Sequence, residues 1–178
     1  MSSLCEIGKE ALKNAKSAHD CLGLRGLEMQ EKNRFGEMAL ACDYQAEVAV
    51  LNTLHKHNVP IKVRSEEHRE DDPRTQVTDA PRFTGVLDGI DGTKLYREGP
   101  FGGLYATLFS ILRGTNPTYA DYEFNGAMQH ATGKLYYAVP GRGSHIDNGK
   151  QLLPYIHPKK HPLIKILRSM LTNTLMRS

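Results

Sequence analysis

Apolar side chains recur through the first part of the chain at three- and four-residue spacing. Leu4, Ile7, Ala11, Ala15, Ala18 and Leu22 mark one face of a helix, with Ser2 or Ser3 as its N-cap. Gly23 and Gly26 interrupt the pattern, and the first forty residues read as mostly helical. A second helix is expected from about Asp43 to His57, with Ala46, Val50 and Leu54 on one face; Pro60 blocks its continuation. Short apolar runs then replace the helical period. Ile61–Ser65 and Phe83–Asp88 read as strands, separated by a polar, acidic, proline-containing stretch over Glu67–Pro81 that reads as a mobile loop. Leu104–Leu112, Tyr119–Met128 and Lys134–Val139 read as a run of antiparallel strands, with turn signals at Gly114–Pro117 and Thr132-Gly133. His161–Leu175 is a further helix candidate. Helices followed by a strand meander predict an α+β fold, in which N-terminal helices pack on a largely antiparallel sheet.

Length and charge refine this picture. The chain of 178 residues is one domain by length and can bury a real core. Residues 1–149 carry 17 basic and 20 acidic residues, whereas 150–178 carry six basic and none acidic. That tail lacks aromatic residues interleaved for base stacking, so a solvated helix face accounts for its charge and nucleic acid is not an expected partner. Cys5, Cys21 and Cys42 are odd in number and widely spaced, without a C-x-x-C pair; this argues against a disulfide framework or a zinc site and for a reducing cytoplasm. No apolar run approaches membrane-spanning length.

The chemistry concentrates at strand ends. Asp88-Gly-Ile-Asp91-Gly-Thr93 carries two carboxylates into a Gly-Thr turn, and Glu66-Glu67 closes the preceding strand. Taken alone, either segment is also an ordinary polar turn. Together they collect hard oxygen donors beside glycine backbone that can approach an anion. An all-oxygen set next to a phosphate cradle suits Mg²⁺, or Mn²⁺, better than zinc. The histidines offer no comparable cluster: His55 and His57 cannot share a helix face, and His157 and His161 have no following carboxylate.

The series Asp43-Tyr-Gln-Ala-Glu47, Glu66-Glu67 and Asp88-Gly-Ile-Asp91-Gly-Thr93 resembles the D-x-x-A-E, E-E and D-P-[IL]-D-G-[TS] pattern of the inositol monophosphatase superfamily. Gly126-Ala-Met128, Thr132–Tyr137 and Gly141-Arg-Gly143 resemble a later strand pair of the same family, so the match runs from roughly Lys32 to Gly149. The resemblance implies a Mg²⁺-dependent phosphatase, Mn²⁺ serving as an alternative, that hydrolyses a small phosphate monoester through metal-activated water. It places Glu66, Asp88, Asp91 and the Ile90 carbonyl as metal ligands. Glu67 becomes the water-orienting or metal-linked acid, and Thr93 with Asp43 behind it positions the attacking water. The backbone N–H groups of Gly92 and Thr93 would receive the phosphate. Lys32 falls where the family often keeps a lysine near the metals.

Two departures stand out. Gly89 replaces the family proline, removing a fixed φ from the turn. The sequence given ends at Ser178 with no tryptophan and no acidic residue after Asp147, whereas family members continue to a W-D-x-A-like segment that supplies another metal-binding aspartate. Residues 1–149 are therefore expected to form the metal-binding, phosphatase-like domain and 150–178 a basic tail, the truncated start of a second half. Impaired hydrolysis follows from that expectation. The alternative is a catalytically inactive binding or regulatory protein, and uncovered sheet surface favours a homo-oligomer. Lys94 resembles the D-G-T-K of phosphoadenosine phosphatases, but substrate stays open among inositol, sugar and nucleotide phosphates.

Overall fold

A computed structural model of the chain describes residues 3–152, apart from Arg34, Glu37, Glu70, Phe101, Asn148 and Gly149. Helix α1 (Leu4–Leu22) begins at Ser3, whose hydroxyl accepts from the Glu6 amide at 3.3 Å. Its buried stripe is Ile7, Ala11, Leu12, Ala15 and His19. The stripe follows the predicted period, but an imidazole occupies its last buried position, beside half-buried Ala18 and Leu22. A 3₁₀ turn (Gly23–Leu27) then leads into an antiparallel pair, β1 (Met29–Lys32) and β2 (Met38–Leu40). The expectation of helix through the first forty residues is corrected here. Gly23 sits at φ 53°, a conformation that ends a helix without Cβ strain.

Helix α2 (Ala41–Lys56) starts two residues earlier than expected and stops at His57. Val50, Leu51 and Leu54 are sealed against the sheet, and each such burial is worth about 1.5–3 kcal/mol. Strands β3 (Ile61–Ser65), β4 (Phe83–Asp91), β5 (Ala106–Arg113), β6 (Tyr122–Gln129), β7 (Lys134–Val139) and β8 (Gly143–Ile146) form one sheet in sequence order. Only β3 and β4 are parallel; every later pair is antiparallel. The fold is α+β, as the pattern predicts. Strand β8 and the short helix α3 (Thr93–Glu98) are not legible in the hydrophobic pattern.

Segment 67–81 is not a free loop. Asp72 caps a 3₁₀ turn at Pro73–Thr75, Thr75 is fully buried, and Gln76 bridges to Lys62. Gln151 and Leu152 still pair with β8. The helix expected over 161–175 lies outside the described residues. No helix among the described residues is long and apolar enough to cross a membrane.

Candidate functional site

The parallel β3–β4 pair brings the two acidic strand ends side by side, with Ser65 in register with Leu87. Beyond that pairing β4 slips against β5: Asp88 faces Leu108, but Asp91 already faces Ala106. This irregularity leaves Asp88 and Asp91 half-buried while Gly89 and Ile90 are buried between them. Ile90 packs its side chain with Leu40, Cys42, Tyr96 and Tyr105. Gly92 follows at φ 91°, a left-handed conformation that lets the chain turn at once into α3.

Helix α2 supplies the third side of the site. Asp43 lies in its first turn and is 3% exposed. Burial pushes the Asp43 carboxyl well above the ordinary aspartate range, reinforced by repulsion from Glu67, Glu66 and Glu47. Asp88 is likewise held well above its ordinary value, first by burial and then by Glu66, Asp91, Asp43 and Glu47. Asp91 is raised by burial. None of the ion pairs among the described residues engages Asp43, Asp88 or Asp91. Acidic side chains from three elements thus share one negative field without a basic partner for these three aspartates, the arrangement that a divalent cation relieves. All-carboxylate donors fit Mg²⁺ or Mn²⁺. Among the described residues no three carboxylate, imidazole or thiol groups already converge as a closed metal shell, so side chains would have to swing to complete one.

A cleft of about 290 Å³ opens beside these residues, lined by Asp43, Glu66, Glu67, Thr93, Lys94 and Arg97 together with Met29 and Met38 from the β1–β2 pair. Asp88 and Asp91 lie outside this lining. Thr93 donates its hydroxyl to the Ile90 carbonyl at 2.9 Å, so one lone pair of the expected carbonyl ligand is engaged and Thr93 does not point its proton at Asp43. Lys32 is exposed on β1 and does not line the cleft; its cations are Lys94 and Arg97 instead. Tyr136 and Tyr137 belong to the sheet, Tyr137 packing on the core and stacking on His145.

No family model and no curated protein sequence matches the chain. Solved structures do. The extragenic suppressor protein SuhB from Bartonella henselae superposes with a TM-score of 0.65 at 14% identity, over 96% of this chain and 65% of that one. A dual-specific inositol monophosphatase/NADP phosphatase bound with D-inositol-1-phosphate gives 0.63 at 15%, over 97% and 65%. The fold is that of the inositol monophosphatases. An inositol monophosphatase/NADP phosphatase complexed with Mg²⁺ and phosphate also matches, with 0.55 at 17%, over 76% and 48%. The chain therefore spans about half to two thirds of the length of the structures that share its inositol monophosphatase fold.

Within this fold the acidic turn is organised by a residue to which the sequence motif assigns no ligand role. Glu47 is fully buried one helical turn after Asp43. Its carboxylate accepts from the Glu66 amide at 3.1 Å, the Glu67 amide at 3.3 Å, His68 Nδ1 at 2.7 Å and the Ser65 hydroxyl. It thereby shapes the turn that presents Glu66 and Glu67. The i,i+4 spacing within Asp43-Tyr-Gln-Ala-Glu47 is the signal that could have found it. His68 in turn stacks on Tyr44 at 4.7 Å, and Arg74 donates to the Tyr44 hydroxyl at 2.7 Å. Nothing local in the sequence announces that chain of contacts.

Proposed function

We propose that the protein is a Mg²⁺-dependent phosphoric monoester hydrolase of the inositol monophosphatase type, with Mn²⁺ as a substitute, acting on a small phosphorylated polyol, sugar or nucleotide. The observation that carries this reading is the negative field that Asp43, Asp88 and Asp91 share with Glu66, with no ion pair to the three aspartates among the described residues, beside a cleft with two cations on its wall. Glu66, Asp88, Asp91 and the Ile90 carbonyl would hold the ion. When bound, Mg²⁺ neutralises phosphate charge and lowers the pKa of water. The chain's own residues do the rest. Glu67 and the Thr93–Asp43 pair orient the attacking water, once Thr93 turns its hydroxyl from the Ile90 carbonyl. The backbone at Gly92 and Thr93 receives the phosphate, and Lys94 and Arg97 attract the anion. Glu47 holds the Glu66-Glu67 turn in place. Residues 1–149 form the working domain in this reading and 150–178 a basic tail, in a cytoplasmic, self-associating protein.

A second, non-catalytic reading is favoured by one contact: the Thr93 hydroxyl already spent on Ile90. The two separate in a phosphate-release assay on the 178-residue chain with Mg²⁺ or Mn²⁺ and a panel of inositol, sugar and nucleotide monophosphates, run beside calorimetric metal titration. Hydrolysis lost in Asp88→Asn supports the enzyme. Metal and phosphate binding without turnover supports the binding protein. Mg²⁺ at ten times its Kd should stabilise the folded chain by about 1.4 kcal/mol. No binding heat and no melting shift with either metal would refute both.

A further inference from the structure

The slip between β4 and β5 is a β-bulge. Asp88 opposes Leu108 and Asp91 opposes Ala106, so two residues of β4, Gly89 and Ile90, stand against Thr107 alone. The bulge decides which way the carboxylates face. In a regular strand, residues three apart lie on opposite faces, whereas Leu108 and Ala106 are two apart and share one. The extra residue therefore turns Asp88 and Asp91 to the same side of the sheet. There burial, and then the charges of Glu66 and Asp91, hold the Asp88 carboxyl above its ordinary value.

Two buried side chains brace the bulge. Thr107 is fully buried and His130 is 3% exposed. Thr107 pairs with Met128, so His130, two residues further on, comes to the same face. The Thr107 hydroxyl donates its single proton to the Gly89 carbonyl at 2.7 Å, and towards His130 Nε2, at 2.8 Å, it can only accept. The bonds thus run one way, from the His130 Nε2–H to the Thr107 oxygen and from the Thr107 hydroxyl to Gly89. The His130 ring is itself held, with the His19 ring centre at 4.3 Å and that of Tyr105 at 5.8 Å. Neither Thr107 nor His130 lines the acidic cleft, so their effect on an ion passes through Gly89.

Gly89 has the widest backbone freedom of any residue type and lacks the fixed φ of the proline it replaces. The peptide plane is rigid, so a bond that fixes the Gly89 carbonyl also fixes the peptide leading into Ile90. We propose that Thr107 and His130 are positioning residues for the metal: their one-way chain of hydrogen bonds holds the bulge in the shape that presents Asp88 and Asp91 on one face to a divalent ion. The brace supplies, from across the sheet, the restraint that a proline would have supplied locally. This role rests on the metal-dependent reading above.

The test is calorimetric Mg²⁺ titration of the full chain and its variants, at a temperature where the melt of each shows it to be folded. Thr107→Val keeps the branched shape and removes the hydroxyl. It should weaken Mg²⁺ binding at least about tenfold, the scale on which metal sites respond to lost supporting partners. Thr107→Ser restores the hydroxyl and should recover most of the affinity. His130→Phe keeps a ring between His19 and Tyr105, removes the Nε2–H, and should also weaken binding. Thr84→Val is the control for stability alone. Thr84 is buried at the other end of β4 and donates to the Gly114 carbonyl at 2.8 Å, so its loss should lower the melting temperature and leave the Mg²⁺ Kd in place. In the wild-type chain, ¹⁵N NMR should find His130 protonated on Nε2. A Kd unchanged in folded Thr107→Val, or shifted as much in Thr84→Val, overturns the positioning role and leaves the metal reading intact. A wild-type chain that binds neither Mg²⁺ nor Mn²⁺ overturns both. Should Thr107→Val not fold, His130→Phe and the His130 tautomer decide: an unchanged Kd or a bare Nε2 overturns the proposal.

Discussion

Replacing Gly89 tests how closely the first turn of α2 is seated on the ligand-bearing strand. A Cβ at this position would stand 2.3 Å from the Asp43 carbonyl oxygen, 2.8 Å from its carbon and 3.0 Å from its Cα. Ordinary contact begins at 3.4 Å, so Gly89→Ala asks backbone to move by about 1 Å. All three atoms belong to a helix whose Ala46, Val50, Leu51 and Leu54 are at most 1% exposed, so the helix cannot shift without opening the core. Overpacking of this kind costs about 1–3 kcal/mol, and because the three nearest atoms are all backbone this case falls at the upper end. For a chain of this size the melting temperature should fall by roughly 6–12 °C. The movement would carry Asp43 with it and loosen the bond from Thr107 to the Gly89 carbonyl, so the stabilisation by Mg²⁺ should shrink too. Gly89→Pro introduces the residue of the family pattern and, bearing the same Cβ, should be at least as damaging. Gly99→Ala is the control: nothing stands within 4 Å of its Cβ and its φ of −162° suits any residue. Circular-dichroism melts with and without Mg²⁺ read the outcome. Gly89→Ala melting within a degree of wild type, with an unchanged Mg²⁺ shift, would falsify the claim that this close approach is a constraint.

Other expectations follow from the same contacts. Glu47→Ala should cost about 3–5 kcal/mol in urea unfolding, since it strands several buried donors at once; a loss under 1 kcal/mol would show that the Glu66-Glu67 turn holds itself. Asp43, Asp88 and Asp91 have raised carboxyl pKa values, so the native chain binds their protons more tightly than the unfolded chain does. Their penalty is absent below the unfolded value of about 4 and grows as pH rises towards the raised values. Melts in chelator should therefore be destabilised by these groups with rising pH, and Asp88→Asn should flatten that slope, raise the metal-free melting temperature and abolish the Mg²⁺ response; an unchanged slope would count against the shared field. Light scattering should show self-association, given that Met29, Met38 and Leu95 are each more than 40% exposed near the cleft; a monodisperse monomer that binds no apolar dye would contradict this.

The local periods determined much of this protein without help. Ile61–Ser65 and Lys134–Val139 appear with the expected bounds, because strand alternation and flanking turn residues are short-range signals. The carboxylate pairs were legible for the same reason, since each sits at the end of its own strand. Tertiary structure decided what those residues meet. That Asp43 approaches the strands from α2 depends on a helix–sheet contact close enough to exclude any side chain at Gly89. Read locally, that glycine is only a lost proline constraint. Glu47 reads as one more acid on a helix, yet burial turns it into the acceptor that ties β3 to the Glu66-Glu67 turn. His19 and His130 lie far apart in sequence and come into contact only because α1 crosses β6. Periodicity reports which face of an element is apolar; the partners of a buried polar atom are set by packing between elements, which no local pattern encodes.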